Sequence, residues 1–180
     1  MKKYLFATFL LTTGILGCLC PRVEEHWNIV GMNLFFADTQ GEVIGGQVQG
    51  DSLYLTVMLE PDFVQAFTSQ PFTQTLHALT CTEPGYRGLS DPIASIELTS
   101  DNAFNSIPAG QPLDSLAQIW GMPLYEFDTE AYDWAYEYFQ RVDFLIPEPP
   151  SPGSTHRFHI ALKMKSGRSV ERETQPLTWE

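Results

Sequence analysis

The sequence predicts a mainly β fold: a single antiparallel β-sandwich of immunoglobulin-like type, with one or two short helices inserted between strands. Three observations carry that expectation. Residues 53–60 alternate strictly, with Leu53, Leu55, Val57 and Leu59 on one face and Tyr54, Thr56, Met58 and Glu60 on the other, the period-two pattern of a half-buried strand. Residues 93–99 and 158–164 repeat that pattern, and turn signals separate the runs: Asp38-Thr39-Gln40-Gly41, Glu83-Pro84-Gly85, Ser100-Asp101-Asn102 and Ser166-Gly167. Hydrophobic residues make up 43% of the chain and aromatic ones 13%, enough to build a core and too many for a disordered segment.

Taken in order, Trp27 to Phe36 is an apolar run. It is apolar on both faces, as expected of a central strand. Residues 53–60 form the second strand, ended by Pro61, and 74–82 a third around Leu79 and Cys81. The fourth covers 93–99. A short helix is expected over Leu113 to Trp120. A second is expected over Thr129 to Arg141, where Ala131, Trp134, Ala135 and Tyr138 recur at helical spacing. Asp128 or Thr129 can cap its start, and its acidic first turn suits the helix dipole. The proline-rich stretch Pro147 to Gly153 looks like an interdomain linker, yet too few residues follow it to fold alone. They read as a hairpin instead, with Phe158, Ile160, Leu162 and Met164 alternating, a turn at Ser166-Gly167, and a return over Ser169 to Trp179. An isolated hairpin is marginal in water, so this one must join the earlier strands. Residues 27–180 are therefore expected to form one domain.

The amino-terminal end reads as an export signal. Lys2 and Lys3 precede an uncharged apolar run from Tyr4 to Leu16. A membrane-spanning helix needs about 20 apolar residues, so the run is short for a span and right for a signal peptide. It closes on Ile15-Leu16-Gly17-Cys18, which resembles the lipobox of bacterial lipoproteins. Ile15 and Gly17 match that pattern, while Leu16 is bulkier than the small residue usual at its place. The resemblance implies cleavage after Gly17, acylation at Cys18 and attachment to a membrane through the lipid. Residues 1–17 are then the signal peptide and 18–26 a lipidated tether. One acyl chain anchors only marginally, at roughly 0.8 kcal/mol per buried methylene, and the several chains of this class anchor firmly. Leu19 in place of an aspartate after the lipid cysteine leans, by the sorting rule of the class, toward the outer membrane.

Lipidation of Cys18 leaves Cys20 and Cys81 as an even pair in an oxidising compartment. A disulfide between them would close a loop of about 60 residues, worth roughly 4 kcal/mol in the chain-entropy model. A buried Cys81 with a free Cys20 is the open alternative, decided by geometry. The formal charge is −12; removing Lys2 and Lys3 leaves 8 basic against 22 acidic residues, a net of −14. Nucleic acid and anionic headgroups need a basic footprint and are disfavoured as partners.

The body resembles small lipoproteins typical of Bacteroidetes, a group without an assigned activity. The likeness rests on the Cys-rich start running into an apolar strand (Cys18 to Phe36) and on Ile93-Ala94-Ser95-Ile96-Glu97-Leu98-Thr99-Ser100-Asp101 followed by Phe104, Ala109-Gly110 and Leu113. It rests also on a last strand pair turning at Gly167 with Thr174 beyond it. It implies an envelope location and a mostly β fold.

Residues for chemistry are sparse. His156 and His159 lie three apart on a strand and point to opposite faces. His26 and His77 are remote, and Cys20 and Cys81 lack zinc spacing, so no metal site is expected. Asp101, Asn102 and Asn105 read as a turn instead of a calcium loop. There is no Gly-x-Ser-x-Gly elbow, no His-Glu-x-x-His and no cofactor motif, so no catalytic residue is assigned. The richest stretch is aromatic, from Trp120 to Phe144. There Trp134 and Tyr138 share a stripe with alanines and should be core, while Tyr132 and Tyr136 should flank it as candidate ligand-binding residues. The expected function is that of a lipid-anchored, non-catalytic binding or structural module with an envelope protein or glycan as partner. The alternative is a hydrolase with acidic catalytic residues.

Mass spectrometry of the protein purified from its own envelope is expected to show acyl mass on Cys18 at the mature amino terminus. An unmodified Cys18 would overturn that expectation, and alkylation of Cys20 without prior reduction would exclude the disulfide.

Overall fold

The structure, a computed structural model, describes residues 24–38, 41–42, 46–64, 83–130, 134 and 140–180. Its strands are β1 (His26–Asp38), β2 (Gly41–Glu42), β3 (Gln47–Val48), β4 (Leu53–Val64), β5 (Ile93–Ser100) and β6 (Gln118–Ile119). They continue with β7 (Met122–Pro123), β8 (Arg141–Ile146), β9 (Thr155–His156), β10 (Phe158–Met164), β11 (Ser169–Glu173) and β12 (Leu177–Trp179). The protein is mainly β, as the alternation requires. Among the described residues no helix is long and apolar enough to cross a membrane.

β1 and β4 form the longest pairing, antiparallel from His26↔Val64 to Asp38↔Leu53. β8 joins the other side of β4, and β6 and β7 follow, giving a six-stranded sheet in the order β2-β1-β4-β8-β6-β7. The register slips between Ile29 and Gly31, so Val30 is bulged outward. The bulge switches which residues face the core. Trp27 and Ile29 are buried before it, and Met32 after it. Without that extra residue a period-two strand would turn one of the two sets to solvent.

Two expectations about these strands are corrected. β4 runs on through Pro61, which pairs with Ile29. The odd-numbered residues of β4 turn their N–H toward β8, as Leu59 N donating to Gln140 O at 3.0 Å shows, and β8 ends its register at Met58↔Arg141. Pro61 lies past that neighbour, so its missing N–H interrupts no ladder bond. β1 has a neighbour on each side, β4 along its length and, among the described residues, β2 over Ala37 and Asp38, but it is not buried on both faces: its outward Phe35 is 52% exposed.

β5, β10 and β11 form a second antiparallel sheet in the order β11-β10-β5. The expected hairpin at Gly167 is there, and it joins β5 as an isolated hairpin must. A slip at Lys163/Met164 leaves Ala94 exposed while Ile93 and Ile96 are both buried. The third sheet, β3-β12-β9, is small and mixed, since β12 runs parallel to β3 and antiparallel to β9. The chain therefore leaves the hairpin partner after Glu173 and crosses to another sheet. One cluster of buried side chains joins all three sheets, with Trp27, Leu55, Leu98, Phe144, Phe158 and Trp179 among its members.

The inserted helices are not seen. Over 113–120, one turn forms, closed by Ala117 N to Leu113 O at 2.8 Å, and the chain then enters β6. Ile119 pairs with Phe144 there, so the apolar residues are buried by strand pairing and the helix stops after a turn. A single 3-10 turn spans Leu124–Glu126. Of the expected helix over 129–141, Thr129 and Glu130 are in a turn, Trp134 is irregular and Arg141 opens β8. Its remaining residues, other than Gln140, lie outside the described ones, as does the expected strand 74–82.

Leu55 is fully buried in the middle of the β4 core face. Leu55→Ala is expected to cost about 2–5 kcal/mol, the range for a leucine truncated in a packed core, read as a lower denaturation midpoint at unchanged slope. A loss below about 1 kcal/mol would mean the core is not packed around β4.

Candidate functional site

The aromatic stretch singled out by the sequence begins at a hairpin. β6 and β7 pair through Gln118↔Pro123 and Ile119↔Met122, and the two residues between them are Trp120 and Gly121, with φ of 50° and 81°. Positive φ at both central positions is the type I′ turn, whose twist matches that of the strands it connects. Glycine adopts it freely. For a residue as large as tryptophan it is an outlier, of the kind that concentrates at functional sites.

Trp120 is nonetheless 45% exposed, so burial of its ring does not explain the strain. One edge of it packs on Phe127, with centroids 5.5 Å apart at 63°, and Phe127 packs in turn on Trp134 at 6.4 Å and 79°. Trp134 anchors this row. It is buried, its indole N–H donates to Thr129 O at 2.8 Å, and its carbonyl accepts from the Trp27 indole at 2.7 Å. Its expected place in the core is therefore shown. Tyr125 sits on the 3-10 turn between hairpin and Phe127 and is 63% exposed. Its hydroxyl is held above the usual phenol range by a hydrogen bond to Glu126 and that residue's charge. Asp128 Oδ1 accepts from Glu130 N at 2.8 Å, fixing the turn that follows. The result is a ridge on which Trp120, its edge on Phe127, and Tyr125, bonded to Glu126, are both exposed, with Asp128 next along the chain.

Tyr132 and Tyr136 lie outside the described residues, as do Cys18, Cys20 and Cys81. Trp120 and Tyr125 are exposed rings of the aromatic stretch that the sequence did not single out from it, Trp120 being expected at the end of a helix. The signal for Trp120 was present in Ile119-Trp120-Gly121-Met122, two apolar residues on either side of an X-Gly pair. It was obscured because tryptophan is not a residue that such turns favour.

A second constellation has the outline of a nucleophile and its base. Ser100 Oγ lies 3.0 Å from His156 Nδ1, and Ser154 Oγ lies 2.9 Å from Nε2. Both principal residues are core, Ser100 at 2% and His156 at 1% exposure. The ring is walled by Phe104, Phe158 and Trp179 at 5.0, 6.4 and 5.7 Å. A hydroxyl occupies the place where a carboxylate would orient a catalytic base. The nearby Asp101 is engaged elsewhere, accepting from Arg157 N at 2.7 Å. This pair is a satisfied core histidine that fastens β9 to the end of β5. His159 turns instead to the surface, 3.3 Å from Glu171, so the two histidines diverge as expected. Among the described residues no three His, Cys, Asp or Glu side chains gather as a metal site would need.

A third feature is a groove between the outer edge of β1 and the facing edge of β11. It comprises a cavity of about 370 Å³ lined by Leu34, Phe36, Arg172 and Leu177 among others, and one of about 400 Å³ beside it lined by Val30, Gly31, Glu60 and Arg168.

Comparison with protein families, with characterised proteins and with solved structures finds no match to this chain. The likeness to Bacteroidetes lipoproteins thus stands on the residues quoted for it alone.

Burial pushes the His156 pKa below its ordinary value, partly offset by the charge of Asp101. In the unfolded chain that histidine takes up its proton at about pH 6.5. As the pH falls below that value the unfolded state binds a proton that the folded state refuses. The stability is then full above about pH 6.5 and is lost progressively down to the depressed folded pKa. Denaturant titrations from pH 7.5 to 5 are expected to show this loss in the parent and a shallower slope in His156→Gln. Equal slopes would place the titration elsewhere.

Proposed function

We propose that this protein is a lipid-anchored component of the cell envelope, held through Cys18 at the outer membrane, that acts as a non-catalytic binding module. In this reading the first two sheets are the layers of an immunoglobulin-like β-sandwich. The shared core supports it, as does the way both sheets turn apolar residues inward and polar residues outward. The module's contact surface is the aromatic ridge at Trp120 and Tyr125, and the ligand class that fits it best is a glycan.

One observation carries this reading: an exposed tryptophan held at positive φ on a two-residue turn. A strained conformation costs about 1–3 kcal/mol and persists where the surroundings over-determine it. Here the hairpin, Phe127 and the locked Trp134 supply that constraint, and the ring they present is left partly in water. An aromatic face of fixed orientation suits stacking on the apolar face of a sugar ring, at little cost in side-chain entropy on binding. The carboxylates of Glu126 and Asp128 lie alongside as acceptors for hydroxyl groups. The acidic surface argues against nucleic acid as the ligand.

The test is a glycan array probed with the soluble chain and with Trp120→Asn and Tyr125→Ala variants. Asparagine tolerates positive φ, so the first variant should keep its stability to within about 1 kcal/mol, the scale of one lost aromatic pair. Each variant should bind its glycan at least about tenfold more weakly, or about 1.4 kcal/mol. Tyr132→Ala and Tyr136→Ala extend the test along the chain. Unchanged binding in both the Trp120 and Tyr125 variants would sink the ridge as the site.

A further inference from the structure

The segment that carries the ridge is built from rings and carboxylates and holds no base. Between Trp120 and Gln140 the sequence has eight aromatic residues and five acidic ones, Glu126, Asp128, Glu130, Asp133 and Glu137. No Lys, Arg or His occurs anywhere from Gly88 to Gln140. The stretch is more than a solvated acidic face, because two of its rings stand in water, Trp120 at 45% and Tyr125 at 63% exposure.

The described carboxylates of this run are of two kinds. Glu130 is neutralised, with the Lys165 ammonium 2.8 Å from its Oε1. Glu126 and Asp128 are exposed and, among the described residues, meet no cation. Each is nonetheless held by one neutral donor. Glu126 accepts from the Tyr125 hydroxyl, and Asp128 from Glu130 N at 2.8 Å. An ionised carboxylate has about four acceptor sites, so both keep free acceptors while one bond limits how far they turn. Phe127, the residue between them, is the ring on which the edge of Trp120 packs. The two charges thus flank, along the chain, the support of the exposed indole.

We infer that the sugar this ridge takes is an amino sugar with a free, protonated amine. The inference rests on the ridge as a glycan site and names which glycans it selects. An ammonium has three donors and no acceptor, the complement of carboxylates that only accept. Its bonds to them are charge-assisted and roughly twice as strong as those of a neutral hydroxyl. The face of an indole attracts a cation too, more than that of any other side chain. A neutral sugar gains the stacking but takes charged acceptors out of water for weaker bonds. An acidic sugar meets repulsion, with no base in the segment to receive it, and the −12 charge of the chain opposes it at long range. Lys165 on Glu130 is an example, within the protein, of the counter-group that this run takes. One exposed ion pair contributes little, so the selectivity comes from the indole and both carboxylates acting on one ligand.

The test is calorimetric titration of the mature chain at about pH 6, where amines are charged and carboxylates ionised. The probes are a glucosamine tetramer, its fully N-acetylated form, which keeps the rings and loses the charge, and the matching glucose tetramer. The glucosamine tetramer is expected to bind at least about tenfold tighter than either neutral one, or about 1.4 kcal/mol. That advantage should shrink to within about twofold at about 1 M salt, where the screening length is about 3 Å. It should shrink likewise in the double variant Glu126→Gln, Asp128→Asn. The salt arm uses the parent, so it does not depend on the double variant folding. Equal binding of charged and neutral tetramers, or no binding of the glucosamine tetramer, would overturn the inference, while the array with Trp120→Asn and Tyr125→Ala judges the glycan reading by itself. A capped tetralysine peptide that binds as tightly as the glucosamine tetramer would overturn it in favour of a basic peptide.

Discussion

Trp27 is the residue on which the arrangement turns. Its indole donates a hydrogen bond to the Trp134 carbonyl inside the core, joining positions 107 residues apart, while its backbone N–H and C=O pair with Gly88 and Ser90. One residue thus ties β1 to the approach of β5 through its backbone and to the segment leading into β8 through its side chain. A buried bond of this kind adds only about 1 kcal/mol when made, but leaving a partner unpaired costs about 1–3 kcal/mol. The pairing is therefore a constraint more than a source of stability. It fixes where Trp134 stands, Trp134 fixes Phe127, and Phe127 supports the edge of Trp120. The exposed ridge inherits its rigidity from a contact in the core.

The second constraint is parity. A strand shows its core face every two residues, and β1 has buried residues of both parities, Trp27 and Ile29 against Met32. The chain resolves this with one bulged residue, Val30, which is 54% exposed. β5 uses the same device at Ala94. In β1 the bulge does more than keep the core continuous. It also sets which backbone groups of β1 meet β4, so that Gly31, Asn33 and Phe35 face that strand and Met32, Leu34 and Phe36 face away from it. Gly31 lies next to the bulge, and a Cβ there would meet the Glu60 carboxylate. With no side chain at that position, the Glu60 carboxylate folds across the strand and accepts from Asn33 Nδ2 at 2.7 Å.

The sequence was legible where one face of a strand is wet. Residues 53–60 and 158–164 announced themselves because half-burial writes an alternating pattern, and the core faces named from it are buried. Trp134 was legible as core for a different reason, since it shares an apolar stripe with Ala131 and Ala135 in the sequence, and it is buried. The helix expected over 113–120 failed because spacing alone cannot tell a stripe from a turn followed by a strand. Leu113, Ala117 and Ile119 are buried, but by a single turn and then by pairing with Phe144. The apolar run of β1 suggested burial on both faces, but Phe35 on its outer face is 52% exposed, so apolar composition there does not report burial. Trp120 was hidden by its own chemistry, a bulky ring at a turn that favours glycine or asparagine. The Ser100–His156 contact could not be seen at all, because it joins residues 56 apart through the fold.

The aromatic hairpin stands at the far side of the six-stranded sheet from β1. In the order β2-β1-β4-β8-β6-β7, β6 and β7 follow β8, which is itself paired with β4. Strand pairing thus places Trp120 from one direction. The row from Trp120 through Phe127 to Trp134 places it from another, because Trp134 is bonded to the Trp27 indole on the opposite side of β4. A ring held at positive φ needs both: the hairpin fixes where its backbone turns, and the core fixes what its edge rests on.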